Sequence, residues 1–306
     1  MIIRQAKVED YGKLYQFLSK NYDCGSFLNW DVGRLTFCRY AVNNTVSFKG
    51  EADWFSHIKL WEKDGEIVAF WHNEEQDQYF MQVSEGYKYL EAEMLEDILA
   101  EVKTRFPEKD MIELTACAED YERIQLLEQY GGVKLDFEDE KRRMSLVEEE
   151  EEYPKKLYRT VMVDKEDAIL CAKLAETYQY VWPESSYVPN GKVFMDMLSE
   201  DSGKSMAWAV LNEEEQCVAY TMGFVDSGQE YAYLYPVAVR QEYLEEGVLE
   251  ILLNTVKNGL FREKIRYVVI NAWYKEQENC IFEKKGAKEW KKEWIYQIGI
   301  NNRKRK

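Results

Sequence analysis

Histidine is almost absent from this sequence of 306 residues, which contains only His57 and His72. Both lie in the first half of the chain, so any chemistry in the second half must proceed without an imidazole. The six cysteines are scattered and include no Cys-x-x-Cys pair. That spacing argues against a disulfide framework and against a zinc site. We therefore expect reduced thiols and no metal centre.

Long apolar runs are also missing. No stretch has the length of a signal peptide or a membrane-spanning helix, which predicts a cytoplasmic protein. The formal net charge of -17 repels nucleic acid and anionic membranes, so we expect neither as a partner. The same charge attracts a cationic partner, such as a small-molecule or peptide amine. The sequence indicates no oligomeric state.

Several nucleotide-binding and hydrolase motifs are incomplete or absent. Gly203-Lys204-Ser205 ends like a phosphate-binding P-loop, but Leu198 stands where the first glycine is required. The sequence contains no G-x-S-x-G nucleophile motif and no G-x-G-x-x-G dinucleotide motif. These absences exclude the commonest serine hydrolase and dinucleotide-binding patterns.

The most informative feature that is present is an internal repeat. Each half contains the same three landmarks. An aspartate joins a strand-like segment to a helical pattern, a valine ends a later strand before a helix, and a glycine ends a late helix. These landmarks are Asp10 and Asp167, Val83 and Val239, and Gly131 and Gly286, with separations of 157, 156 and 155 positions. Such a constant offset predicts two copies of one fold.

A run of five glutamates, residues 148–152, separates the two copies and is followed by Pro154. Like charges in succession favour a solvated linker, and proline interrupts any helix running through it. We therefore predict domains at residues 1–150 and 151–306. Each half reads strand, helix, helix, three strands, helix, strand, helix, strand, which is an α/β (α+β) pattern around a mixed, mostly antiparallel sheet flanked by helices.

Residues 239–253 resemble the acyl-CoA-binding segment of the GNAT superfamily of N-acetyltransferases, whose signature is V-x-P-x-x-R/Q-x-x-G-x-G/A. Three residues depart from it: Gln241 replaces the proline, Leu244 the Arg or Gln, and Leu249 the last glycine. The resemblance implies two tandem GNAT-like domains and acetyl-CoA as co-substrate. Its diphosphate would meet the bare amides of a helix N-terminus. The implied cofactor-binding residues are Val237, Ala238, Val239, Leu244, Gly247, Val248 and Leu249.

The corresponding segment of the first half fits the signature less well. Lys88 falls on the Arg/Gln position, but Glu91 and Glu93 fall on the two glycine positions. Carboxylates in a phosphate-binding turn oppose the binding of an anion. We therefore expect the first half to be non-catalytic and the second half to carry the acyl-CoA site.

The tyrosine that commonly serves the family as general acid is absent from both halves. Phe282 occupies its position in the second half and Leu127 in the first. The remaining candidates for proton transfer are Glu230, Tyr233 and Tyr274. Tyr231, Tyr233 and Tyr235 alternate along one strand, so packing is the competing interpretation of that tyrosine stripe.

The region after the first helix of a GNAT domain commonly shapes the acceptor pocket. In the second half this region contains Trp182 and Tyr187, which we take as candidate substrate-binding residues by resemblance. Two hypotheses follow. The first is an acetyl-CoA-dependent N-acetyltransferase acting on an amine. The second is a catalytically inactive GNAT-like protein with a binding or structural role.

Overall fold

The structure is a computed structural model that describes residues 1–22, 27–42, 45, 47–74, 77–146, 157–225, 230–273 and 276–301. Side chains are not described for residues 137–138, 271–273 and 276–279. The chain divides into two compact units. The first comprises Met1–Asp31, Ser47–Asp139 and Lys291–Lys306, and the second comprises Val32–Val46 and Glu140–Trp290. The boundary predicted at residue 150 lies outside the described residues.

The first unit is built on a sheet with the strand order β1-β2-β3-β4-β5-β12. Neighbouring strands are antiparallel except β4 and β5, which are parallel. The strands are β1 (Ile2–Gln5), β2 (Lys59–Lys63), β3 (Glu66–Asn73), β4 (Gln78–Val83), β5 (Met111–Cys117) and β12 (Ala287–Gly299), and the last pairs with β5 through Glu293–Gly299.

Helices of the first unit bury apolar residues against this sheet. Leu95, Ile98 and Val102 recur at helical spacing along one helix and lie in a core that also contains Met81 of β4 and Leu114 of β5. The helices are α1 (Tyr11–Asn21), α3 (Glu51–Ser56), α4 (Glu91–Arg105) and α5 (Tyr121–Gln129). Strand β6 (Val133–Ser145) leaves the first unit after Asp139 and continues in the second.

The second unit repeats the same topology. Its sheet contains the strand order β11-β10-β9-β8-β7, with antiparallel neighbours except the parallel pair β10 and β11. The predicted mixed, mostly antiparallel sheet is therefore confirmed in both units. The strands are β7 (Arg159–Met162), β8 (Lys204–Leu211), β9 (Cys217–Val225), β10 (Tyr231–Val239) and β11 (Tyr267–Trp273), and the helices are α2 (Val32–Ala41), α6 (Ala168–Val181), α7 (Gly191–Leu198), α8 (Val248–Arg262) and α9 (Glu276–Lys284).

Helix α8 covers one face of the second sheet. Met206, Trp208 and Val210 alternate along β8 and lie in one core with the apolar residues of α8. Helix α8 approaches this face closely at Gly259, where an added Cβ would lie 2.9 Å from Nε1 of Trp208. The opposite face carries α7, whose Phe194 ring packs edge-on against Tyr220 of β9 at 5.5 Å.

The landmarks of the sequence repeat coincide with the ends of elements. The side chain of Asp167 caps α6 by accepting a hydrogen bond of 2.9 Å from the amide of Leu170. Gly131 and Gly286 follow α5 and α9 with φ of 77° and 81°, the left-handed conformation that ends helices. Val83 and Val239 end β4 and β10. These predictions of element type and position are confirmed.

Two segments belong to the unit that is otherwise built from the other half of the sequence. Helix α2, from the first half, packs on β10, α7 and β9 in the second unit. The last part of β12, from the second half, completes the sheet of the first unit beside β5. The sequence repeat does not indicate this exchange. None of the described helices is long and apolar enough to cross a membrane.

Candidate functional site

Strands β10 and β11 pair in parallel, and the described pairs join Tyr231–Leu234 with Tyr267–Ile270. The pairing of β10 with β9 shifts register between Leu234 and Val237 and then continues to Val239. Among the described pairs, none joins β11 to Tyr235–Val239, and we call this segment the splayed end of β10. Backbone groups on a strand edge without such pairs are available to a bound molecule.

A short turn connects this splayed end of β10 to α8. After Arg240, the chain forms a 3-10 helix at Gln241–Tyr243 and reaches Gly247, whose φ of 78° and ψ of 17° are left-handed. Glycine adopts this conformation without strain, whereas other residues do not. The first hydrogen bond of α8 runs from the amide of Ile251 to the carbonyl of Gly247 at 3.1 Å.

The amides of Val248, Leu249 and Glu250 precede the first helical hydrogen bond. These N–H groups have no acceptor within α8, as in the first turn of any α-helix, and they carry the positive end of its dipole. This is the position at which the sequence predicts a diphosphate. Glycine at 247 and the start of a helix at 248 thus agree with that expectation.

The side chains of most predicted cofactor-binding residues are buried in the core. Leu244, Val248 and Leu249 are at most 3% exposed and pack with β-strand residues beneath α8. Only their backbone groups remain for a ligand. Val239 lies in the same core, Val237 packs partly against it, and Ala238 is fully buried.

Carboxylates surround the turn before α8, and two of them are engaged by tyrosines. Glu246 accepts a hydrogen bond from the hydroxyl of Tyr158, and Glu242 accepts one of 3.0 Å from Tyr180. Glu245, the third, is exposed. From the sequence, Glu245 and Glu246 oppose phosphate binding unless their side chains point away from the helix start. The hydrogen bond from Tyr158 holds the side chain of Glu246 in place.

One further carboxylate lies at the helix start itself. Oε2 of Glu250 is buried without a hydrogen-bond partner among the described residues, and it lies 3.8 Å from the position of an added Cβ on Gly247. A carboxylate in the first turn stabilises a helix through the macrodipole. It also places negative charge near the amides that an anion would use. The sequence reasoning missed Glu250, although a Glu three residues after the glycine is visible in the sequence.

The candidate acceptor residues Trp182 and Tyr187 belong to one aromatic cluster. Its centre is the ring of Phe37 from α2, which is 1% exposed. The ring of Phe37 lies 5.3 Å from Tyr178, 5.9 Å from Tyr187 and 5.5 Å from Tyr235, and Tyr178 lies 4.8 Å from Trp182. The sequence did not point to Phe37, because it is remote in the chain from the elements that it contacts.

Helix α2 is fixed to the second unit by a polar contact as well. Arg39 donates a hydrogen bond of 2.9 Å to Oε2 of Glu200, and the hydroxyl of Tyr40 donates to the same oxygen. Burial raises the pKa of Glu200, but the hydrogen bonds from Tyr40 and Ser202 outweigh it and hold the pKa below its ordinary value. The aromatic cluster thus rests on a helix that is anchored at both apolar and charged positions.

The predicted proton-transfer residues do not meet at the splayed end of β10. Glu230 is exposed, lies before the first residue of β10 and forms an ion pair of 3.3 Å with Arg266. Seven residues of strand separate it from Val237, or roughly 20 Å. Its role as a base, directly or through water, stays a prediction that this separation from Val237 does not favour.

Of the predicted tyrosines, Tyr233 lies in the paired part of β10 and is 1% exposed, with its ring 5.3 Å from that of Tyr231. Tyr274 lies outside the described residues. Tyr235 is partly exposed and is the first residue of the splayed end of β10. Phe282 of α9 is 2% exposed and belongs to the core.

The start of α4, the counterpart of α8 in the first unit, carries a buried ion pair. Glu91 is the first residue of α4 and accepts a hydrogen bond of 2.7 Å from Arg123, and both side chains are at most 4% exposed. Burial opposes the charge of Arg123, but Glu91 and then Asp120 raise its pKa above the ordinary value. Lys88 donates to Asp120 at 2.5 Å. Lys88 and Glu91, two of the signature positions, are thus occupied in contacts within the protein.

No group of three or more His, Cys, Asp or Glu side chains able to hold a metal ion occurs in the part of the chain that the structure describes. The expectation that the protein has no metal centre stays a prediction, because side chains outside that part are not assessed.

Comparison with protein families finds no family model that matches the chain. A search of curated proteins finds no match either. Solved structures, in contrast, give many matches.

One similar structure is a tandem GNAT protein from the clavulanic acid biosynthesis pathway, with a TM-score of 0.67 and 11% identity over 99% of this chain and 100% of that one. Another is a GCN5-related N-acetyltransferase from Sphaerobacter thermophilus, with a TM-score of 0.62 and 15% identity over 98% and 95%. The Saccharomyces cerevisiae N-myristoyltransferase with bound myristoyl-CoA has a TM-score of 0.55 and 10% identity over 97% and 78%. The chain therefore has the tandem GNAT fold.

Proposed function

We propose that the second unit binds an acyl-CoA at the start of α8 and transfers its acyl group, an acetyl group in the simplest case, to an amine. The observation that carries this proposal is the contrast between two equivalent helix starts. In the second unit, left-handed Gly247 leads into α8 beside the splayed β10. In the first unit, Glu91 and Arg123 pair at the start of α4. The fold neighbours that act on acyl-CoA support the same function by analogy of fold.

The proposed reaction is a direct transfer. The nitrogen of a neutral amine forms a bond to the thioester carbonyl carbon, the carbon–sulfur bond breaks, and the thiolate leaves. The splayed end of β10 near Val237 supplies backbone N–H groups that stabilise the developing negative charge on the carbonyl oxygen. The amine loses a proton to solvent or to a base, and the thiolate gains one.

Tyr235 is the tyrosine best placed to supply the proton to the thiolate. It lies on the splayed part of β10, is partly exposed and packs against Phe37 at 5.5 Å. We favour Tyr235 over Glu230, which lies at the other end of β10. General acid–base assistance contributes about 10²- to 10⁴-fold, so loss of the Tyr235 hydroxyl slows the transfer without preventing the binding of the acyl-CoA.

A catalytically silent role is the second candidate, and Glu250 favours it. The buried carboxylate oxygen of Glu250 lies at the same helix start that the acyl-CoA would occupy. In this alternative, the negative charge of Glu250 occupies the positive end of the α8 dipole and leaves no place for a diphosphate.

Thermal unfolding with acetyl-CoA separates the two candidates. A ligand that binds only the folded state stabilises it by about 2.7 kcal/mol at a hundred times its dissociation constant. Acyl-CoA binding predicts an upward shift of the unfolding temperature that rises with ligand concentration. If millimolar acetyl-CoA, CoA and a longer acyl-CoA all leave the unfolding temperature unchanged, acyl-CoA binding is excluded and the catalytically silent role remains.

A further inference from the structure

Arg240 stands between β10 and the turn that leads to α8, and only 7% of its surface is exposed, which is unusual for an arginine. Its carbonyl accepts a hydrogen bond of 3.0 Å from the amide of Tyr243, which starts the turn. The guanidinium lies over the ring of Tyr180, with Cζ 4.7 Å from the ring centroid. An aromatic face attracts a cation at this distance, so the ring holds the guanidinium in place.

The guanidinium has no anionic partner among the residues that the structure describes. Its Nε is buried without a hydrogen-bond partner, and neither terminal nitrogen forms a hydrogen bond or an ion pair there. The terminal nitrogens are not among the fully buried atoms, so a ligand can reach them. In contrast, the buried Arg123 and Arg142 donate to Glu91 and Glu140 at 2.7 Å. Buried charges are normally paired in this way, because an unpaired one carries a large desolvation cost.

The carboxylates of the turn do not pair with Arg240. Glu242 accepts a hydrogen bond of 3.0 Å from the hydroxyl of Tyr180, the residue whose ring lies under the guanidinium. Glu246 accepts a hydrogen bond from the hydroxyl of Tyr158. Two tyrosines thus engage carboxylates that could otherwise neutralise the arginine. The contacts of Tyr180 with both Arg240 and Glu242 also place the guanidinium beside the turn that precedes the proposed coenzyme site.

A coenzyme phosphate at this turn needs a cation, and the sequence offers one. Residues 240–256 contain a single arginine, no lysine and four glutamates. The signature position that usually carries Arg or Gln is occupied by Leu244, which is 3% exposed and packs in the core. The phosphates of a CoA would therefore meet a net negative charge at this turn unless Arg240 offsets part of it.

We propose that Arg240 binds a phosphate group of the acyl-CoA and supplies the cation that Leu244 cannot. This inference rests on the proposed function of the second unit. A guanidinium presents parallel N–H donors that match two oxygens of one phosphate. Because Tyr180 already holds the side chain, little conformational freedom is lost when the phosphate binds. The coenzyme is then held by the backbone amides at the start of α8 and by a side chain at the beginning of the same turn.

The test measures the dissociation constant of acetyl-CoA by isothermal titration of the full chain. Arg240→Gln should weaken binding by about tenfold or more, the scale of a lost hydrogen bond to a charged group. Arg240→Lys keeps the charge without the planar fork and should lose less affinity than Arg240→Gln. The affinity of the wild type should also fall more steeply with added salt than that of Arg240→Gln, because salt screens the charge pair that the variant lacks.

The same titrations with 3′-dephospho-acetyl-CoA identify the phosphate that is bound. If Arg240→Gln weakens the binding of both ligands equally, the guanidinium binds the diphosphate. If it weakens the binding of acetyl-CoA alone, the guanidinium binds the 3′-phosphate. Arg262→Gln, at an exposed arginine near the far end of α8, is the matched control and should bind both ligands as the wild type does.

Other results overturn the inference. If wild type and Arg240→Gln bind acetyl-CoA with the same affinity, Arg240 does not bind a phosphate, and the proposed function stands without it. A loss of affinity with no change in the salt dependence would mean that the substitution acts through lost packing on Tyr180. If Arg240→Gln does not fold, Arg240→Lys decides the question, and affinity equal to that of the wild type would contradict the bidentate contact. If the wild type binds neither ligand, it is the proposed function that fails, and this inference fails with it.

Discussion

Arg123 and Glu91 form a buried ion pair of 2.7 Å at the start of α4, whereas the equivalent position of the second unit is occupied by Gly247 and the open first turn of α8. One sequence repeat has thus produced two different helix starts. In the first unit, the protein neutralises the helix start with its own side chains. In the second, the backbone amides of the first turn remain for a ligand.

Removing the charge of Glu250 should strengthen the binding of acetyl-CoA. Glu250→Gln keeps the shape of the side chain but removes the negative charge beside the first-turn amides, so the ligand-induced rise in unfolding temperature should increase. Isothermal titration should show a gain of about tenfold in affinity, the scale of one charge interaction near a helix end. Glu176→Gln, at an exposed position of α6, is the matched control. Unchanged affinity in Glu250→Gln would mean that the ligand does not approach this turn.

Replacing Gly247 should abolish the binding of acetyl-CoA. Gly247→Glu forces a side chain into a left-handed backbone conformation and adds a carboxylate at the helix start. The relevant readout is the difference in unfolding temperature with and without acetyl-CoA, because the substitution also lowers stability by itself. Glu91→Gln in the first unit should lower stability but leave that difference intact. The opposite pattern would assign the coenzyme to the first unit.

Arg123→Met should destabilise the protein by about 3–5 kcal/mol, since it leaves the carboxylate of Glu91 buried and unpaired. The double variant Arg123→Met with Glu91→Leu should recover part of this loss, because the unpaired carboxylate is then removed. Denaturant unfolding measures both values. A double variant that is no more stable than Arg123→Met would show that the two side chains do not act as a pair.

Much of the fold was predictable from local signals. The offset between Asp10 and Asp167 placed the strands and helices of both halves, and Gly131 and Gly286 placed two helix ends. The sequence did not predict that α2 joins the second unit and the end of β12 the first, because tertiary packing decides which sheet a segment joins. Phe37 was missed for that reason.

The candidate site was predictable only in part. The spacing of Gly247 from Val239 is a signal that the sequence shows. In the structure, Val239 ends β10 and Gly247 has the left-handed backbone that precedes α8. Glu230 was chosen for its chemical type, and only the length of β10 shows that it lies far from Val237.

Phe37→Ala should loosen the second unit although Phe37 comes from the first half of the sequence. Loss of a buried aromatic ring typically costs about 3–5 kcal/mol. Amide exchange should accelerate in α6 and α7, where Tyr178 and the segment next to Tyr187 lose their contact, and not in α4. Val188→Ala, at a residue 52% exposed, is the control. Faster exchange confined to α4 would contradict the placement of α2.

The ion-pair cluster around Arg4 should make stability depend on pH in the acid range. Hydrogen bonds from Arg4 hold the pKa values of Asp10 and Glu62 below their ordinary values. Groups of this kind stabilise the folded state above their unfolded pKa values, about 4, and lose that contribution as the pH falls through the lower folded values. The difference in unfolding free energy between wild type and Arg4→Gln should therefore shrink from pH 6 to pH 3. A difference that stays constant over this range would exclude the cluster as its source, and Arg159→Gln, at an exposed ion pair, should show little effect at any pH.

Hydrogen–deuterium exchange of the full chain with and without saturating acetyl-CoA tests the central claim most directly. The amides of Val248, Leu249 and Glu250 have no acceptor within α8, so they should exchange rapidly in the free protein and become protected when a diphosphate accepts their hydrogen bonds. The account predicts protection in peptides covering residues 244–251 and none in peptides covering residues 85–95. Unchanged exchange at residues 244–251, or protection at the start of α4 instead, would contradict it.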